Sequence, residues 1–174
     1  MITILCHSLS PYHIARYNAL AKLRNDFLVI EFATKQKSHS WDVNRESINF
    51  QNLILYDGYL NDFSGKDINN KLLKVLDDLK PSLIVSVGYY DNSMRFATIW
   101  GRKNKKINVM LFESWEGDKK RNFFLELAKS FWCQWAFDGA FVAGIRSQLY
   151  CLKLGFPIQN IWKGSNIVDN EHFL

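Results

Sequence analysis

Hydrophobic positions along the chain fall into two alternating textures. Short apolar runs bounded by polar loops read as buried strands, and longer stretches with apolar residues three and four apart read as amphipathic helices. Ile2 to Cys6 is the first run. The polar loop His7-Ser8-Leu9-Ser10 follows, and Pro11 then opens a helix capped by Ser10. Ile14, Tyr17, Leu20, Ala21 and Leu23 give that helix a buried face up to a stop at Asn25-Asp26, with Arg16, Asn18, Lys22 and Arg24 opposite.

Phe27 to Phe32 reads as a second buried strand, Lys35 to Arg45 as a surface loop with a lone Trp41, and Ile48 to Tyr56 as a third strand. Asp67 to Leu79 has the helical spacing Ile68, Leu72, Leu73, Val75, Leu76 and Leu79, closed by Lys80-Pro81. Leu83 to Val87 is the next strand, ending in Gly88-Tyr89-Tyr90-Asp91-Asn92. Ser93 to Lys103 is a helix around Met94, Ala97, Ile99 and Trp100.

The run Asn108 to Phe112 turns abruptly into Glu113-Ser114-Trp115-Glu116-Gly117. From Asp118 a long helix is expected, with an aromatic stripe of Phe124, Leu127, Ala128, Phe131, Trp132 and Trp135. A short strand between glycines, Asp138 to Gly144, precedes a helix from Ile145 to Leu154. Gly155-Phe156-Pro157 stops that helix, and Ile161 to Lys163 is a last strand.

Strands alternating with helices predict an α/β fold with a doubly wound, mostly parallel sheet of Rossmann-like topology. With 174 residues and no linker or repeat, residues 1–174 read as one domain. In such sheets ligands collect outside the carboxyl ends of the strands, which is where Glu113, Ser114 and Glu116 fall.

Composition narrows the function classes. A net charge of +5 suits anionic partners, but the basic residues are dispersed and no aromatic RNA motif accompanies them, so nucleic acid is not expected as a partner. Cys6, Cys133 and Cys151 are odd in number, far apart and set among apolar residues, which fits buried thiols in a reducing compartment. Neither a signal-peptide pattern nor a membrane-length apolar run is present, so the expected location is cytoplasmic.

GxGxxG, the GxxxxGK[ST] phosphate loop and the GxSxG elbow are all missing, and His7, His13, His39 and His172 lack metal spacing. No metal and no bound cofactor are expected.

Several segments in order resemble the amino-terminal half of retaining glycosyltransferases of family 4, an architecture of two Rossmann-like domains facing across a cleft. They are Pro11-Tyr12-His13-Ile14-Ala15-Arg16, Lys80-Pro81-Ser82-Leu83-Ile84-Val85, Phe112-Glu113-Ser114 and Asp138-Gly139-Ala140-Phe141-Val142-Ala143-Gly144. Tyr150 to Pro157 and Asn166 to Phe173 complete the series. The resemblance implies metal-independent transfer of a sugar from a nucleotide sugar, the donor substrate, to a glycan or glycolipid acceptor with retention at the anomeric carbon, in cell-surface polysaccharide synthesis. It also implies that this half holds the acceptor, while the donor-binding carboxy-terminal domain, with its paired glutamates, has no counterpart before Leu174.

The chain departs from that pattern twice. Its first loop carries His7-Ser8-Leu9-Ser10 where many relatives have glycines approaching phosphate, and Glu113 stands where many have a histidine. Glu113 is the candidate catalytic residue, suited to orient an acceptor hydroxyl or to face an oxocarbenium-like sugar. His7, Ser10, His13, Arg16, Tyr89, Ser114 and Glu116 are the candidate substrate contacts. The plainer readings are solvated or helix-start carboxylates for Glu113 and Glu116, surface solvation of at least one of His13 and Arg16, and a turn pair for Asp169-Asn170.

Phe131, Trp132 and Trp135 read first as core. Lys119, Lys120 and Arg121 beside them support a second reading, peripheral contact with an anionic membrane surface at its inner face. The rival from another class is a non-catalytic interaction module: a subunit pairing with a separate donor-binding partner, or a homodimer.

Overall fold

The structure, a computed structural model, describes residues 1–37, 41, 43–118 and 120–164. The predicted motif at Asn166 to Phe173, His39, His172 and Lys119 lie outside them. The chain has an α/β, Rossmann-like fold of parallel strands and intervening helices, divided into two compact units.

The first unit, Met1–Ser82, contains β1 (Ile2–Cys6), α1 (Pro11–Ala21), β2 (Phe27–Lys35), β3 (Gln51–Tyr59) and α2 (Gly65–Leu79). Its strands run parallel in the order β3-β2-β1, with Ile4 opposite Val29 and Ile30 opposite Leu53. Phe27 to Ala33 is buried at every position, so both faces of β2 are covered, as its unbroken apolar run requires. Leu5, Phe32 and Leu55 pack the core with Leu72 and Leu76 of α2.

Several boundaries move. Helix α1 ends at Ala21, with Ile14 and Tyr17 as its buried residues, and Leu23 is exposed rather than part of the predicted apolar face. Strand β2 runs on to Lys35, β3 begins at Gln51 rather than Ile48, and α2 begins at Gly65, capped by the Ser64 hydroxyl. Lys80 closes α2 in the left-handed conformation at φ 47°, ahead of Pro81 as predicted.

The second unit begins at Leu83 and holds β4 (Leu83–Val87), α3 (Asn92–Lys103), β5 (Ile107–Phe112), α4 (Phe123–Ala136), β6 (Gly139–Val142), α5 (Ile145–Lys153) and β7 (Ile161–Lys163). Its four strands run parallel in chain order, β4-β5-β6-β7. Met110, Phe112, Ala140 and Val142 meet Cys133 and Ala136 of α4 and Tyr150, Cys151 and Leu154 of α5 in one core. All three cysteines are free and buried; burial pushes the Cys133 and Cys151 thiols up to about 12.

Asn108, wholly buried, ties this unit together. Its amide donates to the carbonyls of Thr98 and Ala136 at 3.0 Å each, joining α3 and the end of α4 to β5. Gly101 makes room for it: a Cβ there would stand 2.3 Å from Asn108 Oδ1.

Two expectations fail in the second unit. Residues Glu116–Asp118 form a short 3-10 turn, and the long helix starts at Phe123, where the Asn122 side chain accepts from the Phe124 and Leu125 N–H groups. The aromatic stripe joins the core only at Trp132, which packs partly buried against it; Phe131 is 67% and Trp135 51% exposed, and the fully buried side of α4 is made by Cys133 and Ala136. Helical periodicity located the stripe correctly but carries no sign for which side faces the sheet.

Candidate substrate site

In the first unit the predicted residues gather at the carboxyl end of β1. The His7 carbonyl still accepts from the Ala33 N–H of β2 at 2.9 Å, and its ring meets Phe32 edge-on at 5.7 Å. Ser10 and His13 form a reciprocal cap. The His13 N–H donates to Ser10 Oγ at 3.3 Å, and the Ser10 N–H donates to His13 Nδ1 at 3.2 Å. Burial, with the Arg16 cation nearby, lowers His13 to about 4, so this imidazole is neutral at pH 7. Arg16 lies one turn on, its Nε buried with no acceptor among the described residues.

The loop between β1 and α1 is organised by a residue that sequence reasoning passed over. Glu31, in the middle of β2, is completely buried. Its carboxylate accepts the Leu9 N–H at 2.9 Å, both terminal nitrogens of Arg45 at 3.0 Å each, and the Asn52 amide at 3.3 Å. Arg45 is thus a pairing partner rather than a solvated loop cation, and the Glu31 hydrogen bonds raise its guanidinium pKa. With the Leu9 N–H given to Glu31 and the Ser10 N–H to His13, two backbone donors of this loop are already spent on the protein's own groups. An acid inside the otherwise apolar run from Phe27 to Ala33 was the available signal.

In the second unit Tyr89 follows β4, while Glu113, Ser114 and Glu116 follow β5. Glu113 is exposed, and its carbonyl accepts from Ser147 Oγ of α5 at 2.9 Å. Arg121 fixes the other end of the same segment, donating through Nε to the Glu116 carbonyl at 2.8 Å and through Nη2 to the Trp115 carbonyl. The Glu116 carboxylate pairs with Lys153, both exposed. Arg121 is only 10% exposed and also meets Asp118, so it braces the loop instead of standing as a free surface cation.

Behind this loop lies a compact ionic cluster. Lys129 donates to Glu126 Oε1 and to the Tyr150 hydroxyl at 2.7 Å, and Tyr150 in turn donates to Glu126 Oε2. Arg121 also reaches Glu126 Oε1 at 3.2 Å and lies 4.1 Å over the Tyr150 ring. Burial works to raise the Glu126 carboxyl, but the hydrogen bonds from Lys129, Tyr150 and Arg121 overcome it and hold the group at about 2. Phe112 stacks between Tyr150, at 5.6 Å, and Tyr89, at 6.4 Å, so the cluster also backs the Tyr89 wall. Burial drives the Tyr89 phenol well above its ordinary value.

The arrangement presents an exposed carboxylate on a segment held at both ends, with a hydroxyl at Ser114 and a phenol at Tyr89 on the neighbouring strand end. Such a set can orient hydroxyl groups and face developing positive charge. Among the described residues, no group of three or more His, Cys, Asp or Glu side chains is placed to hold a metal ion.

No family model matches the chain, and no curated protein matches it in sequence. Its fold is similar to those of solved structures that include two nucleotide-sugar epimerases. UDP-N-acetylglucosamine 2-epimerase from Rickettsia bellii superposes with a TM-score of 0.59 at 14% identity, covering 93% of this chain and 43% of the other. UDP-GlcNAc 2-epimerase from Neisseria meningitidis, solved bound to UDP-GlcNAc, gives 0.56 at 17% identity over 95% of this chain and 46% of the other. The chain therefore spans less than half the length of each epimerase.

Proposed function

We propose that the chain is the acceptor-side half of a retaining glycosyltransferase, which moves a sugar from a nucleotide sugar to a glycan or glycolipid hydroxyl once a donor-binding domain or subunit is joined to it. The observation that carries this reading is the exposed Glu113 carboxylate at the end of β5, on a backbone fastened by Ser147 at one end and Arg121 at the other. A charged group aids a transition state most when little has to be reorganised as the reaction proceeds, and this bracing fixes the backbone from which the carboxylate projects.

In this reading Glu113 accepts a hydrogen bond from the attacking hydroxyl and faces the positive charge that grows on the anomeric carbon as its bond to the nucleotide phosphate breaks. Ser114 and Tyr89 hold neighbouring hydroxyls of the acceptor. Within the first unit, taken by itself, His7, Ser10, His13 and Arg16 form a separate candidate set in which the neutral His13 adds no charge and Arg16 is the group suited to an anion. The likeness in fold to nucleotide-sugar epimerases supports a nucleotide-sugar substrate and favours a second reading, half of an enzyme that epimerises the sugar without an acceptor.

Product analysis separates the two. Glycosylated acceptor together with free nucleoside diphosphate supports transfer, whereas an acceptor-independent change of the sugar within the intact nucleotide supports epimerisation.

A further inference from the structure

Helix α4 turns its apolar stripe to solvent. Phe124, Leu127, Phe131 and Trp135, at positions i, i+3, i+7 and i+11, share one side of the helix and are 77%, 45%, 67% and 51% exposed. Phe123 and Leu125 widen the stripe at its amino end. Phe96, 46% exposed on neighbouring α3, extends the apolar surface toward a groove of about 510 Å³ between the two helices, walled by Phe96, Ile99 and Trp132 with Arg95 and Lys129 at its polar positions. An apolar surface of this extent is a contact surface.

Its charge identifies the partner. Helix α3 has no acidic residue and exposes Arg95 and Lys103, and Lys120 is exposed just ahead of α4. The lone acid of α4, Glu126, is neutralised by Lys129 and Arg121. The side-chain partner of Arg95 is the neutral Asn92, at 2.6 Å, and the acid at this end of α3, Asp91, is engaged in capping the helix through the Ser93 and Met94 N–H groups. Two copies meeting through this surface would set these cations against each other, which disfavours a homodimer. A hydrocarbon layer rimmed by anions satisfies both the stripe and the cations.

We infer that this face of α3 and α4 docks on an anionic lipid bilayer, with Phe124, Leu127, Phe131 and Trp135 entering the acyl boundary and a phosphate headgroup meeting Arg95 in the groove. Docking is interfacial, since no helix among the described residues is long and apolar enough to cross a membrane. Tyr89, one of the proposed acceptor contacts, also lines this groove, so the surface adjoins that site, but the inference does not depend on the chemistry at Glu113.

Flotation of the full chain with vesicles of phosphatidylcholine mixed with phosphatidylglycerol, against phosphatidylcholine alone, tests it. The expected result is binding to the mixed vesicles only, weakened at least about tenfold by raised salt and by the Phe124→Ser/Phe131→Ser pair, and more modestly by Arg95→Gln. The substituted side chains are solvent-exposed, so circular dichroism should show unchanged folding. Absence of binding, equal binding to both vesicle types, or undiminished binding by the double variant would overturn the inference. So would self-association of the chain that the double variant abolishes, which would assign the surface to a second copy.

Discussion

The backbone N–H of Leu9 donates to the buried carboxylate of Glu31 at 2.9 Å, fastening the loop that follows the first strand to the middle of the second. The same carboxylate takes two hydrogen bonds from Arg45, so one acid organises the loop carrying His7 and Ser10. Glu31→Gln leaves the guanidinium facing a neutral amide and is expected to lower stability by about 1 to 2 kcal/mol, less than for a fully buried pair because Arg45 is about a third exposed and water can take over part of its solvation. Urea denaturation measures this; an unchanged midpoint would show that the pair contributes nothing.

His13 sets a pH dependence. Its folded pKa of about 4 lies below the ordinary 6.5, so the folded state favours the neutral ring. The unfolded chain binds this proton first as the pH falls, hence stability is full above about 6.5 and declines toward about 4. NMR titration of the imidazole should show no protonation between pH 7 and pH 5, and His13→Asn should flatten the stability profile in that window.

Glu126 acts at lower pH. Held at about 2 against an ordinary 4.5, it contributes stability that is present above about 4.5 and lost as the pH falls toward about 2. Tyr150→Phe removes one of its donors while keeping most of the ring's packing. The expected cost is about 1 to 2 kcal/mol at neutral pH, with a shallower acid limb in chemical denaturation.

Gly101→Ala probes the contact that joins α3 to β5. The added methyl would press on the buried Asn108 amide and disturb its bonds to Thr98 and Ala136, at a cost of about 1 to 3 kcal/mol. Thermal unfolding checks it, and an unaltered melting temperature would mean that the amide moves aside freely.

The alternation of elements was legible because buried parallel strands leave unbroken apolar runs and capped helices leave polar signatures: Ser10, Pro11 and Lys80-Pro81 stand where the structure uses them. The facing of α4 was not legible. An aromatic stripe looks the same whether it meets a sheet or a solvent-side partner, and only the burial of Cys133 and Ala136 on the opposite side decides. The site was half visible. Glu113, Ser114 and Tyr89 were reached from the rule that strand ends carry chemistry, whereas the groups around them, Ser147, Arg121 and Tyr150, leave no local pattern; Ser147 alone is 34 residues from Glu113. Glu31 left one, a lone acid in an apolar run, and its meaning emerges only with Arg45 beside it.

The most direct test of the central claim is turnover of a set of UDP-sugars, with and without glycan and glycolipid acceptors, by the chain joined to a donor-binding domain or subunit. Its Glu113→Gln variant and the 174-residue chain alone provide the comparisons. The expected result is acceptor-dependent release of nucleoside diphosphate with formation of glycosylated product, a fall of at least about a hundredfold for Glu113→Gln at unchanged thermal stability, and little activity from the chain alone. Robust turnover by the chain alone, acceptor-independent conversion of the sugar, or full activity in Glu113→Gln would contradict it.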